Sequence, residues 1–172
     1  SAPERGINAL YKAIKMINKI RKDLIPKLPD HPIYGKVTLA VTQIEVSPKA
    51  LNMVPEECIF HIDCRNNPNF TSETLYNELK KIIHELKTED SEFEATVIPG
   101  PLIEEKKFSG FYCDPDEFPI VYEVVDAISK FYRKPVIGIW NFATDGRIYS
   151  RLGIPVIGFG PGEEKFAHTQ QD

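Results

Sequence analysis

Apolar residues open this chain at helical intervals. Ile7, Leu10, Ile14, Ile17, Ile20 and Leu24 recur in steps of three and four across residues 7–24, which predicts a helix with one apolar stripe. Its lysines and arginine fall mostly on the other face, and Pro26 and Pro29 end it. The interval then drops to two. In residues 36–46, Val37, Leu39 and Val41 alternate with Thr38, Ala40 and Thr42, the pattern of a strand covered mainly on one side. Residues 58–65 alternate more clearly. Cys58, Phe60, Ile62 and Cys64 point one way, and Ile59, His61, Asp63 and Arg65 the other.

The helical period returns at residues 72–88, with Thr71 or Ser72 as cap and Leu75, Leu79, Ile82, Ile83 and Leu86 inward. Residues 92–98 then read as a third strand, with Phe93, Ala95 and Val97 inward. The order is α-β-β-α-β. A strand in front would make it β-α-β-β-α-β, the split unit of ferredoxin-like folds. Residues 1–103 are therefore expected to form an α+β ferredoxin-like domain whose first strand is missing.

A loop rich in proline and glycine follows, and the character changes. Residues 119–132 read as a helix. "PVIGIW" and "IPVIGFG" are continuously apolar, and "TDGRIYSRLG" between them is a short helix that Gly153 stops. Such strands belong to a parallel sheet covered on both faces. Residues 104–172 are thus expected to be the C-terminal α/β part of a separate domain.

Composition narrows the functions. The 172 residues carry 21 basic and 25 acidic side chains, a net charge of −4, and show no basic face for nucleic acid. No apolar run reaches the roughly 18 residues of a membrane helix. Cys58, Cys64 and Cys113 form no C-x-x-C pair and read as reduced thiols of a cytoplasmic protein. The opening "SAPERG" reads as a segment of something longer, with N-terminal processing as the other explanation.

Loops beyond parallel strands are where α/β enzymes hold their sites. Two are expected here, "NFATDGR" and "GPGEEKFAHTQQD". If their strands are neighbours, Thr144, Asp145, Gly146, Arg147 and His168 meet at one edge. The glycines 158, 160 and 162 also suggest a phosphate loop, but no Lys-Ser or Lys-Thr pair accompanies them.

Three stretches share a wider pattern. "TDGRIYSRLGIPVIGFGPGEEKFAHTQQD" resembles the end of the zinc metallopeptidases that include acetylornithine deacetylase, succinyl-diaminopimelate desuccinylase, aminoacylase and glutamate carboxypeptidase. "SAPERGINA" is similar to that family's H-x-S-x-P-x-x-G-x-N-A turn, and "LNMVPEECIFHIDCR" to its N-x-[VI]-P…D-x-R segment. The likeness covers nearly the whole chain, in order. Asp172 stands where the family's terminal motif has glutamate.

The resemblance implies a lid and dimerisation domain over residues 1–103 and the C-terminal part of a zinc hydrolase domain over 104–172. It implies two zinc ions in the whole enzyme, with cobalt or manganese as other metals, and makes His168 the last metal ligand. It places Asn52, Arg65, Thr144, Gly146 and Arg147 against the substrate's carboxylate and amide groups. The general base, the other metal ligands and a lid histidine lie outside these 172 residues, so no catalytic residue is expected here and the chain alone is expected to be inactive. The implied substrate is an N-acyl amino acid or short peptide, cleaved at an amide beside a free carboxylate by a deacetylase- or dipeptidase-like homodimer. Without the resemblance, Thr144 and Asp145 read as helix caps, Arg65 and His61 as surface charges, and the first domain as a non-catalytic dimerisation or interaction module.

Overall fold

Asn8 fixes where the first helix begins. Its Oδ1 accepts from the backbone N–H groups of Leu10 and Tyr11 at 3.0 and 3.3 Å, satisfying donors that a helix start leaves open. The computed structural model describes residues 6–100, 110–140 and 144–160. Its backbone separates into two compact units, Ser1–Ser109 and Gly110–Asp172. The boundary expected at residue 103 falls outside the described residues.

In the first unit, α1 (Ala9–Lys19) runs into a π-helical turn, Ile20–Leu24, and a 3-10 turn, Ile25–Lys27. Pro26 accounts for the change of winding: its ring crowds the preceding turn and it has no N–H to donate. Strands β1 (Thr38–Ser47) and β2 (Glu57–Arg65) pair antiparallel. Helix α2 (Ser72–Glu89) follows, with Thr71 as its cap, donated to by the N–H of Thr74 at 3.3 Å. The expected inward residues of α2 all join the core, where Leu79, Ile82 and Leu86 meet Ile20, Val37 and Phe93.

Two expectations change here. The inward face of α1 is Ala13 and Met16, continued by Ile20 and Leu24, while Ile7 and Ile14 are exposed. The lysines are the cause. Lys12 pairs with Asp90, Lys15 with Glu89 at 3.1 Å, and Lys19 with Glu85 at 2.9 Å. The charged side of α1 thus lies against the acidic side of α2, and the stripe turns. Residues 92–98 form no ladder, although Phe93 is fully buried. The fourth strand of a split βαβ unit pairs with the first, and no strand precedes α1 among the described residues.

The second unit holds α3 (Ile120–Ser129) and α4 (Gly146–Arg151). Gly153, at φ +76°, ends the latter in the left-handed region, as its sequence predicts. Residues 135–140 and 154–160 are not in strands, and Val136, Trp140 and Phe159 are exposed. The parallel sheet expected here is absent among the described residues. A continuously apolar strand is covered on both faces only inside a wider sheet. No helix among the described residues is long and apolar enough to cross a membrane.

Candidate functional site

The β1–β2 ribbon has two faces of opposite character. On one, Phe60, Ile62 and Cys64 pack with the helices. Burial pushes the Cys64 thiol up to about 11, helped by the charge of Asp63, so it stays neutral at ordinary pH. On the other face, Ile59, His61, Asp63 and Arg65 are all exposed. A bulge between Val41 and Gln43 inserts Thr42 into β1. The extra residue keeps Gln43 and Glu45 beside His61 and Ile59 on the polar face.

Arg65 closes the ladder opposite Thr38. Its Nε donates to Asp63 Oδ2 at 3.0 Å, from two residues back on the same face. That bond holds one edge of the guanidinium. Its Nη groups make no ion pair among the described residues, and their fork suits a carboxylate. The side chain is 65% exposed, so the Asp63 contact orients it more than it stabilises the fold.

Asn52 sits at the other end of the ribbon. It lies in the turn joining β1 to β2, closed by the Met53 N–H donating to the Ala50 carbonyl at 3.2 Å. The nine residues of β2 make eight steps of about 3.3 Å, which put about 26 Å of strand between that turn and Arg65. One copy of the chain therefore does not bring Asn52 and Arg65 together.

Thr144, Gly146 and Arg147 do meet, at the start of α4. Thr144 Oγ1 accepts from the Gly146 N–H at 3.3 Å, and its carbonyl accepts from the Arg147 N–H at 3.4 Å. Thr144, not Asp145, makes the side-chain cap. Gly146 has a packing reason to be glycine: a Cβ there would lie 2.7 Å from the Phe111 ring and 2.9 Å from Val156. Arg147 is half-buried. His168 lies outside the described residues. Among the described residues no group of three or more His, Cys, Asp or Glu is arranged to hold a metal.

Asp63 stands in the D-x-R motif with no role assigned to it by the resemblance, and Asn67 escapes a reading by motif altogether. Asp63 shares the face of Arg65, and the alternation of β2 alone was signal enough to pair them. Asn67 is the only buried polar residue among the described ones. Its Nδ2 donates to the Gly35 carbonyl and its Oδ1 accepts from the Asn69 N–H, both at 3.0 Å. The stretch "NNPN" signals a turn, but nothing in it points to Gly35, 32 residues away.

Residues 1–91 match the peptidase dimerisation domain of the M20 family. The chain belongs to the M20 peptidase family. It is also 30% identical, over its whole length, to the uncharacterized protein YgeY of Escherichia coli K12, and equally to that of Escherichia coli O157:H7. The chain spans 44% of the length of these relatives. Membership makes residues 1–91 a domain of the peptidase dimerisation kind.

Proposed function

We propose that this chain is the lid and the C-terminal catalytic portion of a zinc-dependent amidohydrolase. The whole enzyme cleaves an N-acyl or peptide amide beside a free carboxylate. The observation that carries this reading is the match of residues 1–91 to a peptidase dimerisation domain, joined to an exposed arginine that Asp63 holds by one edge. Arg65 takes the substrate carboxylate. Asn52, Thr144, Gly146 and Arg147 contact the substrate's polar groups, and His168 supplies one metal ligand. The domain division is that of lid, 1–103, and catalytic part, 104–172. Three free cysteines support a reducing compartment, the cytoplasm.

Asn52 and Arg65 stand at opposite ends of one ribbon, so a single substrate touches both only when two copies contribute one each. That geometry favours a homodimer as the working form. In the intact hydrolase, Arg65→Ala should lower kcat/KM for N-acetyl amino acids about tenfold or more, mainly through KM, because uniform carboxylate binding is lost. Titrating this chain with zinc by calorimetry should give micromolar or weaker binding that His168→Ala removes. Tight stoichiometric binding, which takes about three protein ligands, would overturn the assignment of His168 as one ligand of a site completed elsewhere.

A further inference from the structure

Strand β2 stops at its longest side chain. Arg65 is the last residue of the ladder, so no further strand residue keeps its stem over the sheet rather than out in water. One contact does. Asp63, the next residue back on that face, accepts the Arg65 Nε–H on its Oδ2 at 3.0 Å. Side chains two apart on a strand are rooted about 6.6 Å from each other, and aspartate is short, so the arginine bends back along the strand to make this bond. The ladder leaves it room. Ala40 stands opposite Asp63 and Thr38 opposite Arg65, and neither carries a charge. The other carboxylate of this face, Glu45, accepts from Gln43 at 2.9 Å and lies 3.9 Å from His61. Among the described residues, neither Asp63 nor Arg65 makes another ion pair.

We propose, on the reading of Arg65 as the contact for the substrate carboxylate, that Asp63 is a positioning residue that aims the Arg65 guanidinium across the ribbon face. Stability does not account for the pair. The two side chains are 50 and 65% exposed, and ion pairs so open to water add little to folding. Direction does account for it. An arginine held through Nε keeps its two Nη groups turned away from the aspartate, as a fork for a second carboxylate. Holding the fork in advance spares the ordering of a long side chain at the moment of binding. The charge of Asp63 acts in the opposite sense, because it stands near the incoming carboxylate. The two effects separate by substitution. Asn keeps an acceptor oxygen in place and drops the charge, whereas Ala drops both.

Nuclear magnetic relaxation of the Arg65 Nε–H in this chain reads the aim with no substrate. The group should be ordered in the unaltered protein and in Asp63→Asn, and mobile in Asp63→Ala, with the thermal midpoint unmoved in all three. Kinetics of the intact hydrolase on N-acetyl amino acids then read its use. Asp63→Ala should raise KM about threefold or more and leave kcat within about twofold, while Asp63→Asn should keep KM at or below the original. Added to Arg65→Ala, Asp63→Ala should cost nothing further, as for residues that act as one unit. No turnover, or an Arg65→Ala enzyme as good as the original, would sink the carboxylate reading and the positioning role together. An impaired Arg65→Ala beside a kinetically silent Asp63→Ala, or a mobile Nε–H in the unaltered chain, would sink the positioning role alone. Equal rises in KM for Ala and Asn would make charge, not aim, the contribution of Asp63. A further loss from Asp63→Ala in the Arg65→Ala background would put Asp63 on the substrate itself, and would overturn its action through Arg65.

Discussion

Asn67 shows what one polar side chain does when it is fully enclosed. It follows Arg65 by two residues, where the ladder ends, and its amide takes the place of the next ladder bond. The Nδ2 donor holds the Gly35 carbonyl, in the turn that leads into β1, and the Oδ1 acceptor holds the Asn69 N–H. Gly35 makes that turn possible with φ at +70°. Asn67→Ala removes both bonds at once, while the Gly35 carbonyl keeps the His31 N–H at 3.1 Å and Asn69 is exposed to water. Each such bond contributes about 0.5–1.5 kcal/mol net, so the variant should lose about 1–3 kcal/mol in urea unfolding. Asn67→Asp keeps the acceptor but buries a charge and sets a carboxylate oxygen against the Gly35 carbonyl, so it should cost at least as much as Asn67→Ala at neutral pH. A stability within about 0.5 kcal/mol of the original for Asn67→Ala would mean the amide is not what closes this end of the ribbon.

The elements differ in how plainly the chain announces them. Helix α2 and strand β2 were legible because period and packing agree: every second residue of β2 is shielded, and every expected inward residue of α2 reaches the core. Helix α1 was legible as a helix but not in its facing, because its apolar arc is broad and ion pairs with α2 settle the rotation. Among the candidate residues, the Thr144–Arg147 turn could be placed locally, while the distance between Asn52 and Arg65 depends on which ends of a ribbon they occupy. Strand β1 hid an irregularity. Its alternation runs through Val41, resumes at Gln43 and leaves Thr42 over. A bulge of this kind adds a residue without changing which neighbours share a face. Deleting Thr42 should therefore straighten the ladder and keep Ile44 opposite Phe60. Deleting Ala40 instead moves Leu39 or Val41 to the wrong face and should prevent folding. Amide hydrogen exchange across β1 checks both, and loss of β1 protection in the Thr42 deletion would show that the bulge is required.

At the scale of the molecule, the two units stand in different conditions. The first has a core with two helices on one sheet face, built around fully buried Ile20, Leu86 and Phe93. The second carries two apolar runs, 135–140 and 154–160, whose residues are mostly exposed. Runs of that composition are stable as strands when other strands supply both a ladder and a covered face, and the second unit has no strand among its described residues. Their backbone is then held chiefly by local contacts, and local opening should need little free energy. Hydrogen exchange on the chain alone should show β1 and β2 protected at least a hundredfold more than residues 135–140 and 154–160. In the larger hydrolase proposed above, both runs should gain protection approaching that of β1 and β2, since the proposal has further strands there to pair them. Equal protection of these runs in the chain alone would mean that the second unit completes its own fold. The proposal that it shares a sheet with the remainder of a larger enzyme would then lose its physical basis.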